Sequence, residues 1–241
     1  MCRPFGAETL TDTRATRDPD DPHGEQRDSD EEALLLLLMA LLGKQRREVI
    51  RLLGDPPDLS RLPQDFWATE GGRMIAAIRP EVERMALDAT ARTTAPTVWE
   101  ETALLAAIVA WAATHTQTLV DGLNSNTRRL LEDKVRQWLQ APGGNIAQLG
   151  GQLEALFGER RARSIAVTET TNAYGAGATV VADELRRAGV RAELRWHTAH
   201  DEKVCSICGP NHNRLQSQGW TVAGVPAHPN CRCRTTIETR G

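Results

Sequence analysis

Four of the five cysteines fall within the last 37 residues, as a Cys205-x-x-Cys208 pair and a Cys231-x-Cys233 pair. Thiols clustered in this way argue against a disulfide scaffold spread through a secreted domain and for one tetrahedral metal site. In the first half, a tight turn presents two thiolates about one tetrahedral edge apart, and Gly209 lets backbone amides approach sulfur. After a loop of 22 residues, Cys231 and Cys233 complete the set. On an extended segment they point to the same side, so both reach one ion. The expected ligands are Cys205, Cys208, Cys231 and Cys233 around a structural zinc, with His228, and after it His212, as alternatives for one thiol. Four protein ligands leave no position for a catalytic water. Arg232, Arg234 and Lys203 lie close in sequence and either offset the charge of such a centre or simply solvate the surface. The terminal segment is short, loop-rich and poor in large apolar residues, so metal binding is expected to hold it.

Upstream the chain reads as helical. A polar, acidic tail over 1–29 lacks apolar periodicity and is expected to be disordered. Residues 1–32 carry ten acids against four arginines, so the rest of the chain is mildly positive despite a net charge of −3. That balance gives no support for a nucleic-acid stripe, and DNA contact stays open. Ser29 or Asp30 is expected to cap a helix that ends at Leu53, before Gly54 and the Pro56-Pro57 break. The run from Leu34 to Leu42 is apolar all round and is read either as a buried bundle helix or as a partner surface. It is too short to span a bilayer, and no signal peptide precedes it, so a soluble, intracellular protein with no membrane contact is expected. Further helices are expected over 64–94 with a restart at Pro80, over 98–124, 125–140, 146–157 and 162–188, with a turn at 141–144. Trp67, Trp99, Trp111 and Trp138 are expected to anchor the helical core.

From Gly189 the period becomes two: Val190, Ala192, Leu194 and Trp196 alternate with Arg191, Glu193, Arg195 and His197. This predicts a half-buried strand, joined by a second over 233–239. The expected fold is therefore a mainly α N-terminal region, 30–140, followed by a small α+β metal-stabilised domain over 145–241.

The order of features from Phe157 to the C-terminus resembles the phage Mu protein F-like head-morphogenesis family, also called minor capsid or minor head proteins. The resemblance rests on Phe157-Gly158-Glu159-Arg160-Arg161-Ala162-Arg163-Ser164-Ile165-Ala166-Val167-Thr168-Glu169-Thr170, on Asn172-Ala173-Tyr174 with Gly177, and on Trp196-His197-Thr198-Ala199. It continues through Asp201-Glu202-Lys203-Val204-Cys205-Ser206-Ile207-Cys208-Gly209-Pro210 and closes on Pro226-Ala227-His228-Pro229-Asn230-Cys231-Arg232-Cys233. Val167 departs from the arginine common in the family before the Thr-Glu pair. Arg163, Thr168, Glu169, Trp196 and Asp201 are carried over as family motif residues. The resemblance implies a phage or prophage virion protein inside the capsid near the portal, acting in procapsid assembly or genome delivery, with portal and other head proteins as partners. The competing readings are a zinc-dependent nuclease or hydrolase, for which His197, His200, Asp201 and Glu202 would supply acid–base groups, and a phage-derived toxin or effector. No convincing catalytic constellation is visible, and no enzyme is expected.

Overall fold

The computed structural model describes residues 21–91, 101–140, 146–198 and 204–240. Six helices precede and flank one small sheet among these residues: α1 (Gly24–Leu53), α2 (Phe66–Ala91), α3 (Glu101–Gln140), α4 (Ile146–Gln152), α5 (Glu154–Phe157) and α6 (Glu159–Arg187), then β1 (Arg191–His197) and β2 (Arg234–Arg240). The fold is mainly α with a two-stranded antiparallel sheet near the C-terminus, as expected. Two compact units share the chain, one taking in Met1–Glu31, Val82–Trp111 and Val167–Gly241, the other Glu32–Glu81 and Ala112–Ala166.

Several boundaries differ from those expected. α1 begins at Gly24, not at Ser29 or Asp30, so of the polar stretch 1–29 the described residues 21–29 are ordered and largely helical. The cause is tertiary: Asp30 sits inside the helix, accepting from the Tyr174 hydroxyl at 2.9 Å and from Arg84 at 2.9 Å. Residues 1–20, including Cys2, lie outside the described residues. α2 runs through Pro80 without a restart. Ala76, whose carbonyl loses its N–H partner, and Pro80 are both exposed, so water can take the place of the missing bond, while Ile78 and Val82 stay buried. α3 continues through 124–125 as one helix. The end of α1 at Leu53 is as expected, with Gly54 at φ +69°.

In the all-helical unit, Leu34, Leu35, Leu38, Leu42, Met74, Ile78, Val120 and Leu131 are buried. The leucine run thus divides between two roles, because Leu36 (60% exposed) and Met39 (38%) face outward. Asn124 explains why α3 does not break: its side chain accepts from Gln45 at 3.1 Å and donates to the Trp67 carbonyl at 3.1 Å, so a residue that favours turns is satisfied inside a helix. Trp67, Trp111 and Trp138 are only partly buried, so aliphatic residues rather than tryptophans fill this core; Trp99 lies outside the described residues. α3 is long and apolar enough to cross a membrane. Its second half, however, carries the ion pairs Arg128–Glu132 and Arg136–Asp133, which suit water.

In the other unit, Val181, Ala182 and Leu185 of α6 pack with Leu104, Ala192 and Leu194. Here α6 approaches α2 closely: a Cβ on Gly177 would stand 2.6 Å from the Ala86 carbonyl oxygen and 2.9 Å from the Ala89 Cβ. Gly177→Ala is expected to destabilise the protein by about 1–3 kcal/mol, read as a lowered midpoint in thermal or urea unfolding. An unchanged midpoint would mean that the two helices can separate freely.

Candidate metal centre

The sheet and α6 between them hold the cysteine loops. β1 and β2 pair from Arg191↔Arg240 to His197↔Arg234, which fixes Cys233 one residue before the ladder begins. The Cys-x-x-Cys turn closes through Gly209 N–H donating to Cys205 O (2.9 Å) and Asn211 N–H donating to Cys208 O (3.0 Å). Asn211, fully buried, ties this turn to the following loop: its side chain donates to Ile207 O and Thr221 Oγ1 and accepts from Thr221 N–H. On the other side Asn230 takes the left-handed conformation at φ +62°, which asparagine tolerates, and turns the chain into Cys231.

These turns bring five ligand atoms together. Cys205, Cys208 and His228 form one close group and Cys208, Cys231 and Cys233 another, so Cys208 belongs to both. His228 Nε2 lies 3.2 Å from Cys205 Sγ and 3.3 Å from Cys208 Sγ, and Cys208 Sγ lies 3.9 Å from Cys231 Sγ. Around a tetrahedral zinc, sulfur–sulfur edges are about 3.8 Å and sulfur–nitrogen edges about 3.6 Å, so this spacing is close to that of a shared first shell. The two halves of the motif, 22 residues apart in sequence, thus converge as expected. His228, expected only as an alternative, stands among the sulfurs.

The electrostatics agree with a cation site. His228 Nδ1 lies 2.8 Å from the Pro229 carbonyl, which can only accept, so that nitrogen carries the proton and Nε2 presents a lone pair to the sulfurs. Burial disfavours the imidazolium, but the Pro229 bond and the nearby Cys231 and Cys205 sulfurs outweigh it and raise the His228 pKa. Hydrogen bonds from Cys208 and Cys233 hold Cys231 well below the ordinary thiol range, whereas the bond to Cys231, then Cys233, then burial push Cys208 far up. At Cys233 the bond with Cys208 lowers the pKa, but bonding to Cys231 and burial prevail and push it up to about 12. A divalent cation bound among these sulfurs would favour their thiolate forms and displace their protons. Trp196 is fully buried beside these sulfurs, and its indole N–H acts to lower the Cys233 pKa against the larger effects that raise it. The residues present therefore fit a metal ion.

The backbone around Cys231 and Cys233 is held by residues that the spacing of the cysteines does not reveal. Thr171 Oγ1 donates to the Cys231 carbonyl at 2.7 Å, and Thr168 Oγ1 accepts from Asn230 N–H at 3.0 Å. The two threonines lie three apart on α6, hence on one face. Arg27, only 2% exposed, donates to the Cys233 carbonyl at 3.4 Å and pairs with Asp21 at 2.9 Å. Arg232 does not face the sulfurs as a charge offset: it makes a two-pronged pair with Glu31 at 2.8 and 2.9 Å. No local pattern in the sequence marks Arg27 or Glu31 as partners of a segment about 200 residues away.

The remaining family motif residues divide. Trp196 packs edge-to-face on Trp220, with ring centroids 5.2 Å apart. Glu169 is buried and accepts from Asn172 at 3.2 Å, and Arg163 makes an exposed pair with Glu159. Asp201, with His200, Glu202 and Lys203, lies outside the described residues. His212 stands apart from the cluster, where its Nδ1 accepts from Thr198 N–H at 3.2 Å, and His197 Nε2 bonds Thr236 Oγ1 at 2.9 Å. Compared with known proteins, the chain matches no curated protein and no solved structure. The family model described as Phage Mu protein F like protein matches residues 129–236, from the second half of α3 through all five candidate ligands into β2, and over those residues the chain is similar to that family.

Proposed function

We propose that the chain is a phage or prophage minor head protein, working in capsid assembly or genome delivery near the portal, and that its metal is a structural zinc. The observation that carries this reading is the coincidence of the family match with the cysteine–histidine centre: residues 129–236 contain every candidate ligand. Soft thiolates with an imidazole in a tetrahedral spacing select zinc over oxygen-loving cations. The ion would be held by Cys208 with three of Cys205, His228, Cys231 and Cys233, and would lock two loops that have little other core. On this reading the protein is an interaction component rather than an enzyme, and it works inside the virion.

The surface for the portal or another head protein is best sought on α1, where Leu36 and Met39 are exposed. Truncating the N-terminal helix is a poor test, because Arg27 and Glu31 support the C-terminal segment. Instead, co-expression with the portal protein of the same phage should give co-purification with the wild-type chain. Replacing Leu36→Asp and Met39→Asp together should reduce it about tenfold or more, through loss of buried apolar area. Absence of any association with portal or capsid shell proteins, from a chain carrying its metal, would remove the head-protein reading.

A further inference from the structure

The sulfurs of Cys208 and Cys231 touch across the two cysteine loops. Their Sγ atoms lie 3.9 Å apart, although the residues are 23 positions apart in sequence. The backbone on each side is fixed by hydrogen bonds that need no ion. Cys208 O accepts from Asn211 N–H at 3.0 Å, and the Asn211 side chain in turn holds Ile207 O and Thr221 Oγ1. Cys231 O accepts from the Thr171 hydroxyl of α6 at 2.7 Å, and Cys231 N–H donates to His228 O at 3.1 Å. Both thiols are buried in an apolar cluster with Trp196, Val222 and Val225. A neutral, apolar disulfide suits that setting without further partners, whereas a bare thiolate does not. A sulfur–sulfur bond is about 2.0 Å long, so about 2 Å must close, which side-chain rotation supplies.

We propose that Cys208 and Cys231 form a reversible disulfide, which takes over from the ion as the staple between the loops under oxidising conditions. The ion-bound state rests on the structural-zinc reading above; the disulfide itself does not. The oxidant is a low-molecular-weight disulfide such as oxidised glutathione. One protein thiolate attacks a sulfur of that disulfide and expels one small thiolate, and the second protein thiolate then attacks the mixed disulfide and expels the other. The two cysteines thus give up two protons and two electrons, and one small disulfide becomes two small thiols. The new bond withdraws Cys231 together with Cys208, the member common to both ligand groups. Cys205, His228 and Cys233 remain, and three donors split between the two groups do not close a tetrahedron. Zinc and disulfide therefore exclude one another, while the loops stay joined in either state. A bond from Cys205 to Cys208, or from Cys231 to Cys233, would lie within one loop and join nothing.

The test uses the full-length chain, stripped of metal with EDTA under reducing conditions and then equilibrated with excess oxidised glutathione. Alkylation of the remaining thiols, proteolysis and mass spectrometry locate the bond. An intramolecular Cys208–Cys231 cross-link is expected, with the amide signals of 204–240 still dispersed. Zinc affinity of the oxidised chain should fall about a hundredfold or more, and dithiothreitol should restore it. A bond mapped from Cys205 to Cys208, from Cys231 to Cys233, to Cys2 or between chains would overturn the proposal. So would full retention of the thiols, stable glutathione adducts, or zinc binding unchanged by oxidation. A reduced chain that takes up no zinc would instead overturn the zinc reading, since the cross-link is mapped without metal.

Discussion

Cys208→Ser is expected to abolish metal binding and to unravel the segment beyond residue 204. Cys208 is the one thiol shared by both close ligand groups, so its loss leaves Cys205 with His228 on one side and Cys231 with Cys233 on the other. Neither remnant closes a tetrahedron by itself. Structural zinc contributes on the order of 10 kcal/mol to small domains of this kind, comparable with the whole stability of an ordinary domain. Cys205 and Cys233 each belong to a single group, and replacing either keeps Cys208, the ligand that joins the two groups. Cys205→Ser and Cys233→Ser should therefore retain much of the metal. Elemental analysis should find roughly one zinc per wild-type chain and almost none in Cys208→Ser, with amide signals of 204–240 collapsing to unstructured shifts. A wild-type chain that binds no divalent metal, or a Cys208→Ser chain that keeps its full complement, would refute the shared-vertex geometry.

The next largest effect is expected at Arg27. Its side chain is 2% exposed and pairs with Asp21, itself 3% exposed, while also reaching Thr171 Oγ1 and the Cys233 carbonyl. Arg27→Ala would leave the Asp21 carboxylate buried without its cation and would release the carbonyl that anchors the Cys-x-Cys loop. Breaking one partner of a buried pair costs about 3–5 kcal/mol. The loss should appear as a shifted midpoint in denaturant unfolding, and adding Asp21→Asn should restore part of it, since the orphaned charge is then gone. A single substitution costing less than about 1 kcal/mol would show that the pair is solvated in solution.

Local rules made much of this fold readable. Alternation from Val190 to His197 marked β1, and Gly54 before Pro56 marked the end of α1. Two cysteine pairs sufficed to forecast convergence of the halves, because few arrangements of four clustered thiols are compatible with anything else. The failures share a cause. The helix restart expected at Pro80, the helix boundary expected at 124–125 and the cap expected at Ser29 or Asp30 each follow from local propensity, and each is overruled by surroundings that no short window contains. His228 is expected from the sequence only as an alternative ligand for a related reason: its hydrogen bond to the adjacent Pro229 carbonyl, which turns Nε2 toward sulfur, is a matter of conformation rather than of spacing.

The Phage Mu F-like stretch starts at residue 129, yet the unit around the cysteines also draws on residues near the N-terminus. A chimera that transplanted only the matched stretch into a relative would import Arg232 without Glu31, and the Cys233 carbonyl without Arg27. Recombination at that seam should be tolerated only where the recipient's helix corresponding to α1 carries an equivalent acid and guanidinium, so the two segments would be expected to travel together.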